Sequence, residues 1–159
     1  MDAAIRGWTR DDVPAIGALW VDALGDTGLH GVGLHADAPG RLRSWLLDQV
    51  RERSVVGLVA EVDGRVGGFL LGRVGEWDSI PPITRPGRVG LVDVVCVAAE
   101  LRGRGVGSRL AAEAVGKMEA AGAERIETTY DPGNPAAARL WERMGFRPSL
   151  RRAWRPGGP

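Results

Sequence analysis

The chain has 159 residues, and its 21 lysines plus arginines nearly balance 20 aspartates plus glutamates, which excludes the strong overall field that draws a protein to nucleic acid or an anionic membrane. That length predicts a single domain over residues 1–159 with a full hydrophobic core. One cysteine, Cys96, excludes a disulfide framework, and His30 and His35 stand in no cluster with metal-ligand spacing, so no metal is expected.

The opening residues lack the basic segment and apolar run of a secretory signal, and no stretch approaches membrane-spanning length, so a cytoplasmic protein is expected. A short strand around Ile5 and Trp8 leads to Thr9-Arg-Asp-Asp12, which reads as a capping box. It opens a helix whose apolar face is Val13, Ile16, Leu19, Trp20 and Leu24. Residues 25–40 are rich in glycine and contain Pro39, which predicts a loop. A second helix follows, with Leu42, Trp45, Leu46 and Val50 on one face.

Two apolar runs, 55–62 and 66–74, flank Asp63-Gly64, a pair suited to a tight hairpin. Three prolines in residues 75–87 predict a long loop, because proline has no amide for a sheet ladder. The strand at 89–97 is apolar on both faces apart from Asp93, as a central strand should be. After an arginine- and glycine-rich turn, a helix presents Val106, Leu110, Ala114, Val115 and Met118 on one side, ended by Gly122. Residues 125–130 read as a strand, and Asn134-Pro135 opens a last helix that Gly145 stops. Strand, helix, strand, helix implies a parallel pair, and residues 146–155 offer one further edge strand. Arg147, Arg151, Arg152 and Arg155 make that tail basic. With charge balanced elsewhere, this reads as a solvated edge and not as a nucleic-acid surface.

The most informative segment is Leu101-Arg102-Gly103-Arg104-Gly105-Val106-Gly107-Ser108, between a central strand and the first turn of a helix. Amides at a helix N-terminus lack internal partners and carry the positive end of the dipole, and glycines let a polyanion approach them. Arg102, Arg104 and Arg109 are placed to add charge-assisted contacts. The bland alternative is a simple connecting turn. A dinucleotide-binding turn fits poorly, because the glycines run Gly103-x-Gly105-x-Gly107 and an antiparallel hairpin lies upstream.

Residues 97–146 resemble the core of the GCN5-related N-acetyltransferase (GNAT) superfamily. Arg102-x-x-Gly105-x-Gly107 is similar to its pyrophosphate motif, and Asn134-x-x-Ala137-x-x-Leu140-Trp141-Glu142-x-x-Gly145-Phe146 to its last-helix signature. The opening Ile5-Arg-Gly-Trp-Thr-Arg-Asp-Asp-Val-Pro-Ala-Ile resembles the family's first strand and helix, while the middle matches in element order only. The resemblance implies an α/β (α+β) fold: a mixed, mostly antiparallel sheet with a central parallel pair splayed around acyl-CoA, flanked by about four helices. It implies acetyl transfer from acetyl-CoA to a primary amine. The turn from Arg102 to Ser108 would then hold the pyrophosphate, and the backbone of Val95, Cys96 and Val97 would meet the pantetheine, with the Val95 amide near the thioester oxygen. Asn134 would touch the pantetheine arm, although it also reads as an ordinary N-cap. Cys96 itself reads as a core thiol facing away from Asp93.

An alkylammonium of pKa about 10.4 costs roughly 4.6 kcal/mol to deprotonate at pH 7, so a general base is wanted. Asp93, alternating with Leu91, Val95 and Val97, is the first candidate, and family members often carry a carboxylate there; a carboxylate merely paired with an arginine is the other reading. Glu127 is the reserve. The family's usual tyrosine acid is replaced by Trp141, which packs either against the cofactor arm or in the core, and Tyr130 is the substitute donor. His30 and His35 fall where relatives build part of the acceptor pocket. A small-molecule amine is expected as acceptor, partly because Thr129 stands where relatives acting on ribosomal proteins carry glutamate. A protein N-terminus or lysine is the alternative, and a non-catalytic acyl-CoA-binding regulatory module is the alternative of another class. A homodimer is compatible with this reading.

Overall fold

The computed structural model describes residues 3–25, 34–77, 83 and 85–149. The chain divides into two compact units, Met1–Thr129 and Tyr130–Pro159. The first carries a five-stranded sheet in the order β1-β2-β3-β4-β5, formed by Ala4–Gly7, Val55–Val62, Arg65–Trp77, Gly87–Val97 and Arg125–Thr128. All neighbours are antiparallel except β4 and β5, which run parallel. Among the described residues three α-helices accompany it: α1 (Val13–Leu24), α2 (Ala38–Gln49) and α3 (Val106–Ala120). The second unit contains α4 (Pro135–Arg143). This mixed, mostly antiparallel sheet with one parallel pair and four helices is the architecture the sequence predicts.

One sheet face packs on α1 and α2, where Val13, Ile16, Leu46, Val59, Phe69 and Cys96 form a core cluster. Trp20 continues it, 5.5 Å from the Phe69 ring and 6.0 Å from the Trp45 ring. The other face carries α3, whose Leu110, Ala111, Ala114 and Met118 are fully buried as it crosses β2, β3 and β4. Met118 fits because β3 and β4 present glycine beneath it: a Cβ on Gly72 would stand 2.5 Å from its Cε, and one on Gly90 2.8 Å from its Sδ.

The hairpin turn is as expected, with Asp63 at φ 50° and Gly64 at φ 73°, the primed geometry that matches strand twist. Some boundaries differ from the sequence reading: β5 ends at Thr128 where residue 130 is expected, which leaves Tyr130 outside the strand. Helix α2 begins at Ala38, with Pro39 inside its first turn, where no amide hydrogen bond is required. The predicted loop at 75–87 is shorter, because Gly75, Glu76 and Trp77 pair with Val89, Arg88 and Gly87. A cross-strand ion pair, Arg88 Nε to Glu76 Oε1 at 3.2 Å, accompanies that extension. The edge strand expected at 146–155 falls largely outside the described residues, and 146–149 are not in a strand.

Candidate active site

Strand β4 organises the site through one irregularity. Its ladder with β3 runs Gly72 to Val92 and then Leu71 to Val94, so Asp93 is an extra residue, a β-bulge without a partner of its own. Cross-strand partners share a sheet face, which puts Leu91 with Arg73, Val94 with Leu71 and Cys96 with Phe69 on the α1/α2 side. Val92, Val95 and Val97 lie on the α3 side. The simple alternation that grouped Asp93 with Leu91, Val95 and Val97, and opposed it to Cys96, therefore fails at the bulge.

Asp93 is held by Arg73 from the neighbouring strand. Arg73 Nε donates to Oδ2 at 3.0 Å and its Nη2 to Oδ1 at 2.9 Å, a bidentate pair. These hydrogen bonds raise the Arg73 guanidinium further above its ordinary value. Arg73 was not singled out in the sequence; the available signal was one charge inside the apolar run 66–74. Glu127 is the β5 partner of Leu91, so both carboxylate candidates lie on the same sheet face. Glu127 pairs with Arg125 Nη2 at 2.5 Å, and the Arg125 guanidinium carbon lies 5.1 Å from the Trp77 ring centroid.

The bulge also marks where the parallel pair stops: the last β4–β5 partners are Val92 and Thr128. From residue 93 to 97 the outer side of β4 has no strand partner among the described residues. Ala98 N–H donates inward to Gly67 O at 2.9 Å, so alternation turns the backbone groups of Cys96 toward β3 and those of Val95 and Val97 outward. Val97 O accepts from Arg102 Nε at 3.0 Å. The Cys96 thiol is buried, donates to Leu19 O at 3.5 Å, and has its pKa pushed up by burial.

Strand β4 runs through a short 3-10 turn, Ala99–Leu101, into the glycine turn and α3. Gly103 at φ 75° and Gly105 at φ 80° are left-handed, a conformation that bends the chain sharply and disfavours other residues. Gly105 is the N-cap of α3, and no side chain caps the helix, so the first amides, at Val106, Gly107 and Ser108, are free of side-chain capping. A Cβ built on Gly103 or Gly105 would meet nothing within 4 Å. Arg102 and Arg104 are exposed on this turn, and Arg109 lies one turn into the helix.

The second unit begins with Tyr130, which is half-buried. Asn134 caps α4, its Oδ1 accepting from the amides of Ala136 at 3.2 Å and Ala137 at 3.1 Å. The helix closes in a Schellman motif: Gly145 N–H donates to Glu142 O at 3.0 Å and Phe146 N–H to Trp141 O at 2.9 Å. Trp141 is buried, edge-on to Phe146 with centroids 5.0 Å apart, the apolar contact that accompanies such a cap. The Trp-x-x-x-Gly-Phe spacing thus has a structural explanation. His35 is exposed, its Nδ1 accepting from the Asp37 amide at 3.2 Å; His30, Arg151, Arg152 and Arg155 lie outside the described residues. Among the described residues there is no group of three or more His, Cys, Asp or Glu side chains placed to hold a metal, and no helix long and apolar enough to cross a membrane.

A mixed sheet that parts after one parallel ladder, with a glycine turn feeding a helix N-terminus beside the gap, defines an acyltransferase-type α/β fold. The chain belongs to the acetyltransferase (GNAT) family, whose model matches residues 19–146. It is 32% identical over 127 residues to a mycothiol acetyltransferase of Parafrankia sp., an alignment covering 70% of this chain and 39% of that protein. It is 28% identical over 149 residues to an L-methionine sulfoximine/L-methionine sulfone acetyltransferase of Pseudomonas aeruginosa, covering 92% of this chain and 81% of that one. The chain spans well under half the length of the mycothiol acetyltransferases it matches. A transcriptional regulator from Bacillus halodurans superposes with a TM-score of 0.78 at 19% identity, covering 98% of this chain and 100% of that one. An aminoglycoside N-acetyltransferase in complex with CoA superposes with a TM-score of 0.74 at 18% identity, covering 98% and 95%. At these identities the two structures show a common fold.

Proposed function

We propose that this chain is a catalytic N-acetyltransferase that uses acetyl-CoA to acetylate the primary amine of a small molecule, and that its two units act as one domain. Family membership across both units supports the latter point. The observation that carries the reading is the outer edge of β4 from residue 93 to 97, which has no strand partner among the described residues, running into the turn at 102–105 and the start of α3, which no side chain caps. A linear amide-bearing arm can add to that edge as a strand does, and a pyrophosphate suits helix amides that glycines leave accessible. The groups on this edge and turn are the outward Val95 N–H and C=O, the Val97 N–H, the first amides of α3, and the side chains of Arg102 and Arg104. Cys96 contributes through its place in the strand, since its own backbone groups face β3. Asn134 and Trp141 are carried over from the family's last-helix motif, beside the structural roles they have in α4.

Acetyl-CoA supplies an activated acyl thioester. The protein must supply a neutral amine, worth roughly 4.6 kcal/mol at pH 7 for an alkylamine, and a donor to the acyl oxygen. Val95 N–H is that donor. Asp93, at the point where β4 and β5 part, takes the amine proton, and its oxygens keep lone pairs beyond those used by Arg73. Because a thiol of pKa about 8.5 leaves readily as thiolate, no dedicated acid is obligatory, which fits Trp141 in place of the family tyrosine. Tyr130, the only tyrosine, is the remaining donor of that type. The mycothiol and methionine sulfoximine names of the relatives favour a small-molecule acceptor.

Thiol release from acetyl-CoA across a panel of small amines, peptides and proteins tests this. Release with small amines is expected; release with peptides or proteins alone would move the acceptor class, and CoA binding without release would make the chain a regulatory module. Asp93→Asn keeps shape and loses basicity, so acetyl-CoA affinity should persist while turnover falls about a hundredfold near pH 7. The deficit should shrink toward the acceptor's own pKa, where solvent supplies the free amine. A stable variant with unchanged turnover at every pH removes Asp93 from the mechanism, and a destabilised variant with a pH-independent deficit makes it structural.

A further inference from the structure

We infer that the acceptor is an α-amino acid, recognised as a zwitterion by Arg73 and Asp93 together, an inference that rests on the acetyltransferase reading above. Val55, Arg73, Leu91 and Glu127 are successive cross-strand partners on β2, β3, β4 and β5, so their side chains share one face of the sheet. Asp93 joins this row from the bulge. The Arg73 side chain is 56% exposed and that of Asp93 22%, so the pair is open to a ligand while anchored in the sheet.

A guanidinium has five N–H donors, and Asp93 engages two of those of Arg73, which leaves three directed elsewhere. Among the described residues Asp93 accepts one bond on each oxygen, both from Arg73, and a carboxylate has further lone pairs. An ammonium drawn to Asp93 alone would sit close to the Arg73 cation, a like-charge contact that opposes binding. A carboxylate on the same molecule removes that conflict by engaging the remaining Arg73 donors. Standard bond lengths place the amine nitrogen and nearer carboxylate oxygen of an α-amino acid about 3 Å apart. The 2.9 and 3.0 Å bonds use Nε–H and one Nη2 hydrogen, so the second Nη2 hydrogen is the remaining donor nearest Asp93, and a ligand carboxylate oxygen accepting it leaves the adjoining ammonium within reach of Asp93 Oδ1. Half-buried Val55 and Leu91 flank the pair with apolar surface for the acceptor's side chain. One ammonium proton passes to Asp93, the nitrogen bonds the acyl carbon as the carbon–sulfur bond breaks, and the second proton, shed by the acylated nitrogen, ends on the departing thiolate, so the products are the N-acetylamino acid and the free thiol of CoA.

The test uses the twenty protein L-amino acids and their methyl esters as acceptors, since esterification removes the carboxylate charge and keeps the amine and side chain. At least one amino acid should be turned over with kcat/KM more than about tenfold above that of its ester. Arg73→Gln should lower kcat/KM for the amino acid at least about tenfold more than for the ester, and should abolish calorimetric binding of the amino acid to CoA-saturated protein. Melting temperatures check that the variant is folded. Equal decline for acid and ester would show that Arg73 acts only by positioning Asp93, and would overturn the inference. Thiol release with alkylamines but with no amino acid overturns it while leaving acetyl transfer intact. No release with any amine overturns both.

Discussion

Asp12 shows how a single buried charge is made to serve the fold. Its side chain is 7% exposed, yet it accepts from Arg6 Nη1 and Nη2, both at 2.8 Å, and from the Thr9 amide at 2.7 Å. Arg6 holds its carboxyl below the ordinary carboxylate range against the opposing effect of burial. Because the folded pKa is the lower one, this stabilisation is complete above the unfolded value of about 3.9 and is lost as pH falls through the folded value. Asp12→Asn should therefore destabilise the protein by about 2 kcal/mol at pH 7. The gap in melting temperature between wild type and variant should close as pH is lowered from about 5 toward 2. A gap that stays constant across that range would mean the ion pair contributes nothing. Thr9 to Asp12 was legible as a capping box because both partners are close in sequence. Arg6 was not, because nothing local indicates that a strand residue will turn back on the helix entry.

At the scale of elements, the close seating of α3 on the sheet depends on what β3 and β4 omit. A Cβ at Gly90 would lie 2.8 Å from Met118 Sδ and 3.2 Å from Ile126 Cγ1. Gly90→Ala should cost about 1–3 kcal/mol in urea unfolding, and less in a Met118→Ala background, which removes the 2.8 Å contact with Sδ and keeps the longer ones with residue 118 Cβ at 3.1 Å and Ile126 Cγ1. Additive effects would show that the contact is not the cause. Most elements were readable because their signals are local: the Asp63-Gly64 turn, the 3.6-residue periodicity of α1 and α3, and the glycine ends of α3 and α4. The bulge at Asp93 was not, since it exists only in the register between β3 and β4 and no residue type announces it. That one inserted residue turned a regular alternation into a wrong face assignment for Val95 and Val97. It also sets Asp93 against Arg73, which the sequence reading had allowed only as an unnamed arginine. Element ends failed for a related reason, because Pro39 and Gly75 are breakers whose effect depends on position within a turn or ladder.

For the whole molecule, a net charge of +1 offers no general attraction for a nucleotide, so the proposed affinity for CoA rests on the local turn at 102–108 and on the edge of β4 that has no strand partner among the described residues. The family was legible because its two motifs are backbone devices, a left-handed glycine turn before a helix and a Schellman cap closed by Trp141 and Phe146. The acceptor was not legible, since it depends on which side chains from separate strands meet on one face. The most direct measurement of the central claim is calorimetric titration of CoA into the wild-type protein and Gly107→Val, with melting temperatures alongside. Gly107 lies within α3, where valine requires no left-handed backbone, so the fold should be retained while the added bulk obstructs the helix amides. The account predicts a dissociation constant in the micromolar range for the wild type, about 8 kcal/mol, with a melting temperature that rises with ligand and at least tenfold weaker binding by the variant. No binding by the wild type at millimolar CoA would contradict it.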